Sequence, residues 1–251
     1  MKVKLFIPFL AILFSCSNEQ QGVPTKPEKH PDSFQITESV TEPPELKVHE
    51  SEARILPVDE SSGDQSLKQF ITELREIVRK KDLKAFTACL DTGIVVSHGG
   101  GIFGISNFMS EWKLHSHPEK SGLWPRMKFL LNLGGAWEKN KEEFRIPYTQ
   151  CDRFFSHIDR NNLDWYVTAV CIDPETIVYQ KPNTKSPKTT ILSYEVVRII
   201  SRSDHFIEIQ TLDKKVAGFV NDQQIIGSAE AYPTLQKVDG TWKITSFAPY
   251  D

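Results

Sequence analysis

Three histidines, His98, His115 and His117, are the first residues in this chain whose type and spacing could do chemistry. Histidines two apart share one face of a strand and would supply two metal ligands, but zinc chemistry needs a third ligand and an open position. Pro118 and the surrounding charges make this stretch a solvated loop, and no metal is expected. Gly99, Gly101 and Gly104 have the G-x-G-x-x-G spacing that lets a backbone approach a pyrophosphate. Where a second strand ending in an acidic residue should follow, the chain has HSHPEKSGLWP, so the glycines read as a turn and no cofactor is expected. Ser110 and Lys113 have the S-x-x-K spacing in which a lysine activates a serine one helical turn away. The companions of that pair are missing, because Ser203-Asp204 runs on to His205 and Lys188 to Thr189-Thr190.

The cysteines are more informative. The chain opens MKVKLFIPFLAILFSCSNEQ, where Lys2 and Lys4 precede an apolar run from Leu5 to Phe14 that has the length of a signal-peptide core and falls well short of a bilayer-spanning helix. Leu13-Phe14-Ser15-Cys16 resembles a bacterial lipobox. That resemblance implies removal of residues 1–15 as a lipoprotein signal peptide, diacylglycerol on the Cys16 sulfur and an acyl chain such as palmitate on its new amino group. Two or more chains are what stable anchoring takes, since each buried CH₂ contributes ~0.8 kcal/mol and one chain holds only marginally. The expected location is the cell envelope, lipid-anchored, at the outer membrane facing the periplasm, because Ser17 and not aspartate follows Cys16. Of the others, Cys89 in KAFTACL reads as a buried thiol, while Cys151 and Cys171 are the preferred disulfide pair in an oxidising compartment, with two separate thiols as the alternative.

The formal net charge is −3, and it becomes more negative once Lys2 and Lys4 leave with the signal, so no basic field remains to attract nucleic acid. Residues 16–63, with PTKPEKHP and TEPPE, have a composition that cannot bury enough apolar surface to offset chain ordering, and they are expected to form a disordered tether behind the lipidated cysteine. The folded part begins with DQSLKQFITELREIVRKK, where Leu67, Phe70, Ile71, Leu74, Ile77 and Val78 fall on one helical face behind a cap at Asp64 or Ser66. Asp82 caps a second helix, DLKAFTACL, and ISNFMSEWKL continues in helical spacing after the short strand GIVVS. EEFRIPYTQCDRFF reads as a strand or extended segment. From residue 164 on, WYVTAVCI, TIVYQ, TILSYEVVRII, HFIEIQT, VAGFV, AYPTLQKV and TWKITSF are short strands separated by turn residues, with Asp239-Gly240 as a hairpin turn. The expected fold is therefore an α+β N-terminal domain over residues 64–161, followed by a small all-β barrel with a C-terminal hairpin over residues 162–251.

Within that second part, WYVTAV, IVYQKPNTKS, ILSYEVV, FIEI and GFVNDQQI resemble the successive elements of a bacterial SH3-like domain over residues 164–227. Pro182, Ser186, Leu192, Val196, Ile209, Gly218, Phe219 and Val220 carry the resemblance. The chain departs from it at Tyr194, where the family usually has a turn glycine, and at Tyr179-Gln180. The N-terminal helices and TWKITSF resemble, more distantly, the start and closing strand of a cone-shaped fold of the nuclear-transport-factor kind. Cys151-Asp152-Arg153-Phe154 and His205-Phe206-Ile207 are similar in order to cell-wall cysteine peptidases that accompany SH3-like modules, which makes a cysteine- or metal-dependent peptidoglycan peptidase the enzymatic alternative. No complete set of nucleophile, base and oxyanion donors emerges, so the leading expectation is a non-catalytic binding module for a protein or cell-wall component, with a purely structural role as a third reading. Among Trp165, Tyr166, Tyr179, Tyr194, Phe206, Phe219, Tyr232 and Trp242, the three chosen to line a ligand groove are Tyr179, Tyr194 and Tyr232.

Overall fold

The computed structural model describes residues 45–249. The signal peptide, Cys16 and the tether as far as residue 44 lie outside the described residues. The described part belongs to one compact unit.

It opens with helices α1 (Gln65–Lys80) and α2 (Leu83–Cys89), strands β1 (Leu90–Ser97) and β2 (Ile102–Phe103), and helices α3 (Ile105–Glu111) and α4 (Leu123–Asn132). Strands β3 (Ala136–Trp137) and β4 (Phe144–Arg145) precede helix α5 (Asp152–Arg160). The rest is β5 (Thr168–Cys171), β6 (Thr176–Tyr179), β7 (Lys188–Leu192), β8 (Val196–Ser203), β9 (Phe206–Thr211), β10 (Ala217–Asn221), β11 (Ile225–Gly227), β12 (Tyr232–Val238) and β13 (Thr241–Ala248).

Local chemistry explains the early elements. The Asp64 carboxylate accepts from the Ser66 and Leu67 amides at 2.8 and 3.0 Å, satisfying two of the four orphan donors of α1, and Asp82 does the same for Ala85 at 3.0 Å. Leu67, Ile71, Leu74 and Val78 are the buried face of α1. Asp239 and Gly240 take φ of 49° and 76°, the two left-handed residues that a tight hairpin between β12 and β13 requires.

The strands form two mostly antiparallel sheets, one of six strands in the order β2-β1-β13-β12-β4-β3 and one of seven in the order β11-β5-β8-β9-β10-β6-β7. The parallel pair β1 with β13 joins the first strand to the last. Phe247 on β13 stacks on Trp112 at 5.0 Å and meets Phe108 of α3 at 6.1 Å, so the last strand completes the core of the N-terminal helices. This corrects the expected boundary near residues 161 and 162. The C-terminal hairpin does not belong with the second sheet; its apolar residues Leu235, Ile244 and Phe247 are buried in the same cluster as Leu67, Phe86 and Leu123. The seven-stranded sheet, with its own cluster around Val178, Leu192, Val197 and Ile209, is an insertion between α5 and β12.

Two further expectations need correction. The segment read as extended from Glu142 to Phe155 enters helix α5 at Asp152, because Phe154 and Ile158 bury one face of it. The tether does not reach residue 63, since residues 47–55 form a strap along the second sheet. The amide of His49 donates to Ile191 at 2.8 Å, that of Ile55 to Tyr194 at 2.9 Å, and that of Val196 back to Ala53 at 2.8 Å. Ile55 is buried, and the His49 ring lies between the Glu195 and Asp213 carboxylates at 3.0 and 3.2 Å. A composition rich in Pro and Glu hides such a segment, because its backbone pairs and a single apolar anchor do the holding.

Candidate functional site

Glu138 follows β3 at the edge of the six-stranded sheet. The β3–β4 hairpin pairs Ala136 with Arg145 and Trp137 with Phe144, and the connecting turn is closed by the Glu138 amide on the Glu143 carbonyl at 3.0 Å and the Lys141 amide on the Glu138 carbonyl at 2.9 Å. Gly135 is needed before it, because a Cβ there would run into the Phe144 ring. Only 8% of Glu138 is exposed. Its carboxyl lies 3.1 Å from the Arg145 Nε, and the Arg145 Nη2 lies 3.1 Å from Glu143.

Asp152 arrives from the first turn of α5, where helix amides favour the ionised form, and it accepts from the Lys139 amide at 2.7 Å. Glu138 and Asp152 line the same cleft, and their acidities move apart. Burial first, and then the bond to Asp152, push the Glu138 carboxyl up to about 8, so it holds its proton at neutral pH. The bond from Glu138 and the Lys139 amide hold Asp152 below the usual carboxylate range.

Aromatic rings complete the wall. Phe155, one turn along α5, packs on Trp165 at 4.6 Å, and the Arg145 guanidinium lies 5.3 Å from the Phe155 ring and 6.0 Å from that of Tyr232. Asp164 caps the short turn that carries Trp165 and Tyr166 by accepting from the Tyr166 amide at 2.9 Å. Glu138, Arg145, Asp152, Phe155, Trp165 and Tyr166 enclose a cleft of about 440 Å³, open to solvent beside Tyr166, which is 61% exposed. A larger depression of about 750 Å³ lies between α4 and the second sheet, but Arg126 there is already satisfied by Glu230 at 3.0 Å. Perturbed acidity in a concave, aromatic-lined place makes the Glu138 cleft the stronger candidate.

The three tyrosines expected to line one groove are not brought together. Tyr179 is on β6 in the second sheet, packed edge-on against Phe206 at 5.9 Å and buried. Tyr232 is buried on β12 in the other sheet, with the Arg145 guanidinium 6.0 Å from its ring. Tyr194 is half-buried in the connection between β7 and β8. Alternation along each strand turned Tyr179 and Tyr232 inward, and their rings are consumed by packing.

The disulfide expectation is also corrected, because Cys151 and Cys171 are both buried free thiols, and burial pushes the Cys171 thiol up. His205, paired with Cys151 in the peptidase reading, lies exposed in the turn between β8 and β9. Lys113 leaves α3 with φ of 54°, so the Ser110 and Lys113 pair does not span a helical turn. Among the described residues no three His, Cys, Asp or Glu side chains converge as metal ligands, and no helix is long and apolar enough to cross a membrane. Compared with protein-family models, curated proteins and solved structures, the chain finds no match.

Proposed function

We propose that this protein is a lipid-anchored component of the cell envelope, attached through Cys16 and facing the periplasm, whose folded body binds a protein or cell-wall component without transforming it. The observation that carries the binding part is the cleft in which Glu138 and Asp152 lie beside Phe155 and Trp165. Aromatic walls supply contact area at low entropy cost, and a few convergent polar groups orient a ligand.

Binding is favoured over hydrolysis by the lining of the cleft. Arg145, Phe155, Trp165 and Tyr166 line the cleft with the two carboxyls, a mainly aromatic wall with few polar groups that suits holding a ligand. A second reading has one observation in its favour, since an acid that keeps its proton near neutral pH is also what a general acid needs. An SH3-like module in the inserted sheet is supported by Tyr194, which takes φ of 53° where that family has a turn glycine.

The test is sedimentation of the whole chain with purified peptidoglycan and pull-down from envelope extract, with Tyr166→Ala as the altered protein. Binding weakened about tenfold or more by that change, with no soluble fragments released, is expected of a hot-spot aromatic. Release of fragments would replace binding by hydrolysis. Retention unaffected by Tyr166→Ala would move the site elsewhere. Mass spectrometry of the mature N-terminus tests the anchor separately, and an unmodified Cys16 would contradict it.

A further inference from the structure

Helix α5 buries Phe154 and Ile158, and away from that face Arg153, His157 and Arg160 follow one another at helical spacing along a single stripe. The strap meets this stripe, and with Arg54, Ile55 and Leu56 it closes a further open cleft of about 430 Å³. No Asp or Glu lines it, in a chain whose 33 acidic side chains outnumber its 30 Lys and Arg. Like charges one turn apart work against a helix, and here a third arginine is brought to them from a separate segment.

These cations are not spent on carboxylates. Arg160 donates through Nε to the Ser156 carbonyl at 2.9 Å and Arg54 through Nη2 to the His49 carbonyl at 2.8 Å, and neither forms an ion pair among the described residues. The Arg54 Nε is buried and has no hydrogen-bond partner among the described residues. Arg153 reaches Glu60 at a long 3.5 Å, with both side chains open to solvent. Burial, and then the Arg160 charge, push the His157 imidazole below its ordinary value, so the neutral ring adds an N–H donor beside the arginines.

We propose that this cleft binds a phosphoryl group, with Arg54, Arg153 and Arg160 around its oxygens and the rest of the ligand against Leu56, which is 61% exposed. An arginine fork bonds two oxygens at once and keeps its charge at any working pH. Forks arriving from two segments suit a tetrahedral oxyanion better than a planar carboxylate. A soluble phosphate ester and the headgroup of an anionic phospholipid share this chemistry. The inference goes beyond the binding reading above, since no residue lines both clefts and either can fail alone.

Titration calorimetry of the whole chain at fixed ionic strength tests it with inorganic phosphate, glycerol 3-phosphate, dihexanoyl-phosphatidylglycerol below its micelle concentration, and malonate as a dianion without phosphorus. The phosphoryl probes are expected to bind, and malonate at least tenfold more weakly than glycerol 3-phosphate. Tighter binding of the short-chain lipid than of glycerol 3-phosphate would assign the headgroup; the reverse would assign a soluble ester, and both outcomes keep the inference. Arg153 and Arg160 are exposed, so Arg153→Gln and Arg160→Gln should keep a cooperative melt while each weakens glycerol 3-phosphate binding about tenfold. Arg79→Gln, which removes the same charge from α1, and Tyr166→Ala in the other cleft should each change it less than twofold. An equal loss in Arg79→Gln, or malonate binding as tightly as glycerol 3-phosphate, would reduce the cleft to a diffuse positive field and overturn the inference. Binding untouched by both α5 variants, or no binding by any phosphoryl probe, would also overturn it.

Discussion

A carboxylic acid that keeps its proton at neutral pH must be visible in the stability of the molecule. For Glu138, whose ordinary value of 4.5 is raised to about 8, the folded chain holds a proton in that window that the unfolded chain releases. Stability therefore falls as pH rises from about 4.5 through 8 and is level above it. Asp152 acts in the opposite sense, adding stability above the ordinary carboxylate range that is lost as pH falls through its lowered folded value. Thermal melts from pH 5 to 9 should show a smaller decline in Glu138→Gln than in the natural chain, and an identical slope would remove the protonated acid from the account. A second residue with high stakes is His49, whose ring is nearly buried against Glu195, itself 1% exposed at the side chain. His49→Ala should cost about 1–3 kcal/mol in denaturant unfolding, the range for leaving a buried acceptor without its hydrogen-bond partner. A change below 1 kcal/mol would mean that water replaces the ring. Neither Glu138 nor His49 was legible from its neighbours in sequence, because each acquires its role from a partner brought in by the fold. Asp152 was noticed only as a neighbour of Cys151, and Trp165 and Tyr166 only as strand aromatics.

Elements were legible where the cause is local. The Asp64 and Asp82 caps, the buried stripe of α1 and the Asp239-Gly240 turn follow from residue types a few positions apart. Helix α5 was missed because DRFFSHIDR contains only Phe154, Phe155 and Ile158 as apolar markers and follows Pro147, so its aromatic pair read as strand. The break between β7 and β8 is set by Tyr194, an unusual residue to stand at φ of 53°. The strap was hidden for a different reason, since its hold comes from backbone bonds to β7 and to the turn after it, with Ile55 as its buried anchor. Deleting residues 45–58 should lower stability by at least about 2 kcal/mol from loss of the Ile55 side chain alone, with the His49 contacts in addition. An unchanged melt would return this segment to the tether.

At the scale of the molecule, the first and last strands lie side by side in one sheet, and the seven-stranded sheet is inserted between them. No local pattern announces this, because TWKITSF looks the same whether its partner is the preceding strand or one about 150 residues away, and pairing with β1 is decided by the apolar face that the helices leave uncovered. Val170, Val196 and Ile226 of the second sheet belong to the same buried cluster as the helices, so the described unit should melt in one transition by calorimetry. Two separated transitions would show the insertion folding alone. The same arrangement creates the candidate site: β3 and β4 carry Glu138 and Arg145, α5 carries Asp152 and Phe155, and the turn entering the insertion carries Trp165 and Tyr166. The most direct test of its role is the carbon-13 side-chain titration of Glu138, free and with muropeptides from digested peptidoglycan. The account predicts a midpoint near 8 in the free protein that moves when ligand is bound; a midpoint near 4.5 that no ligand moves would contradict it.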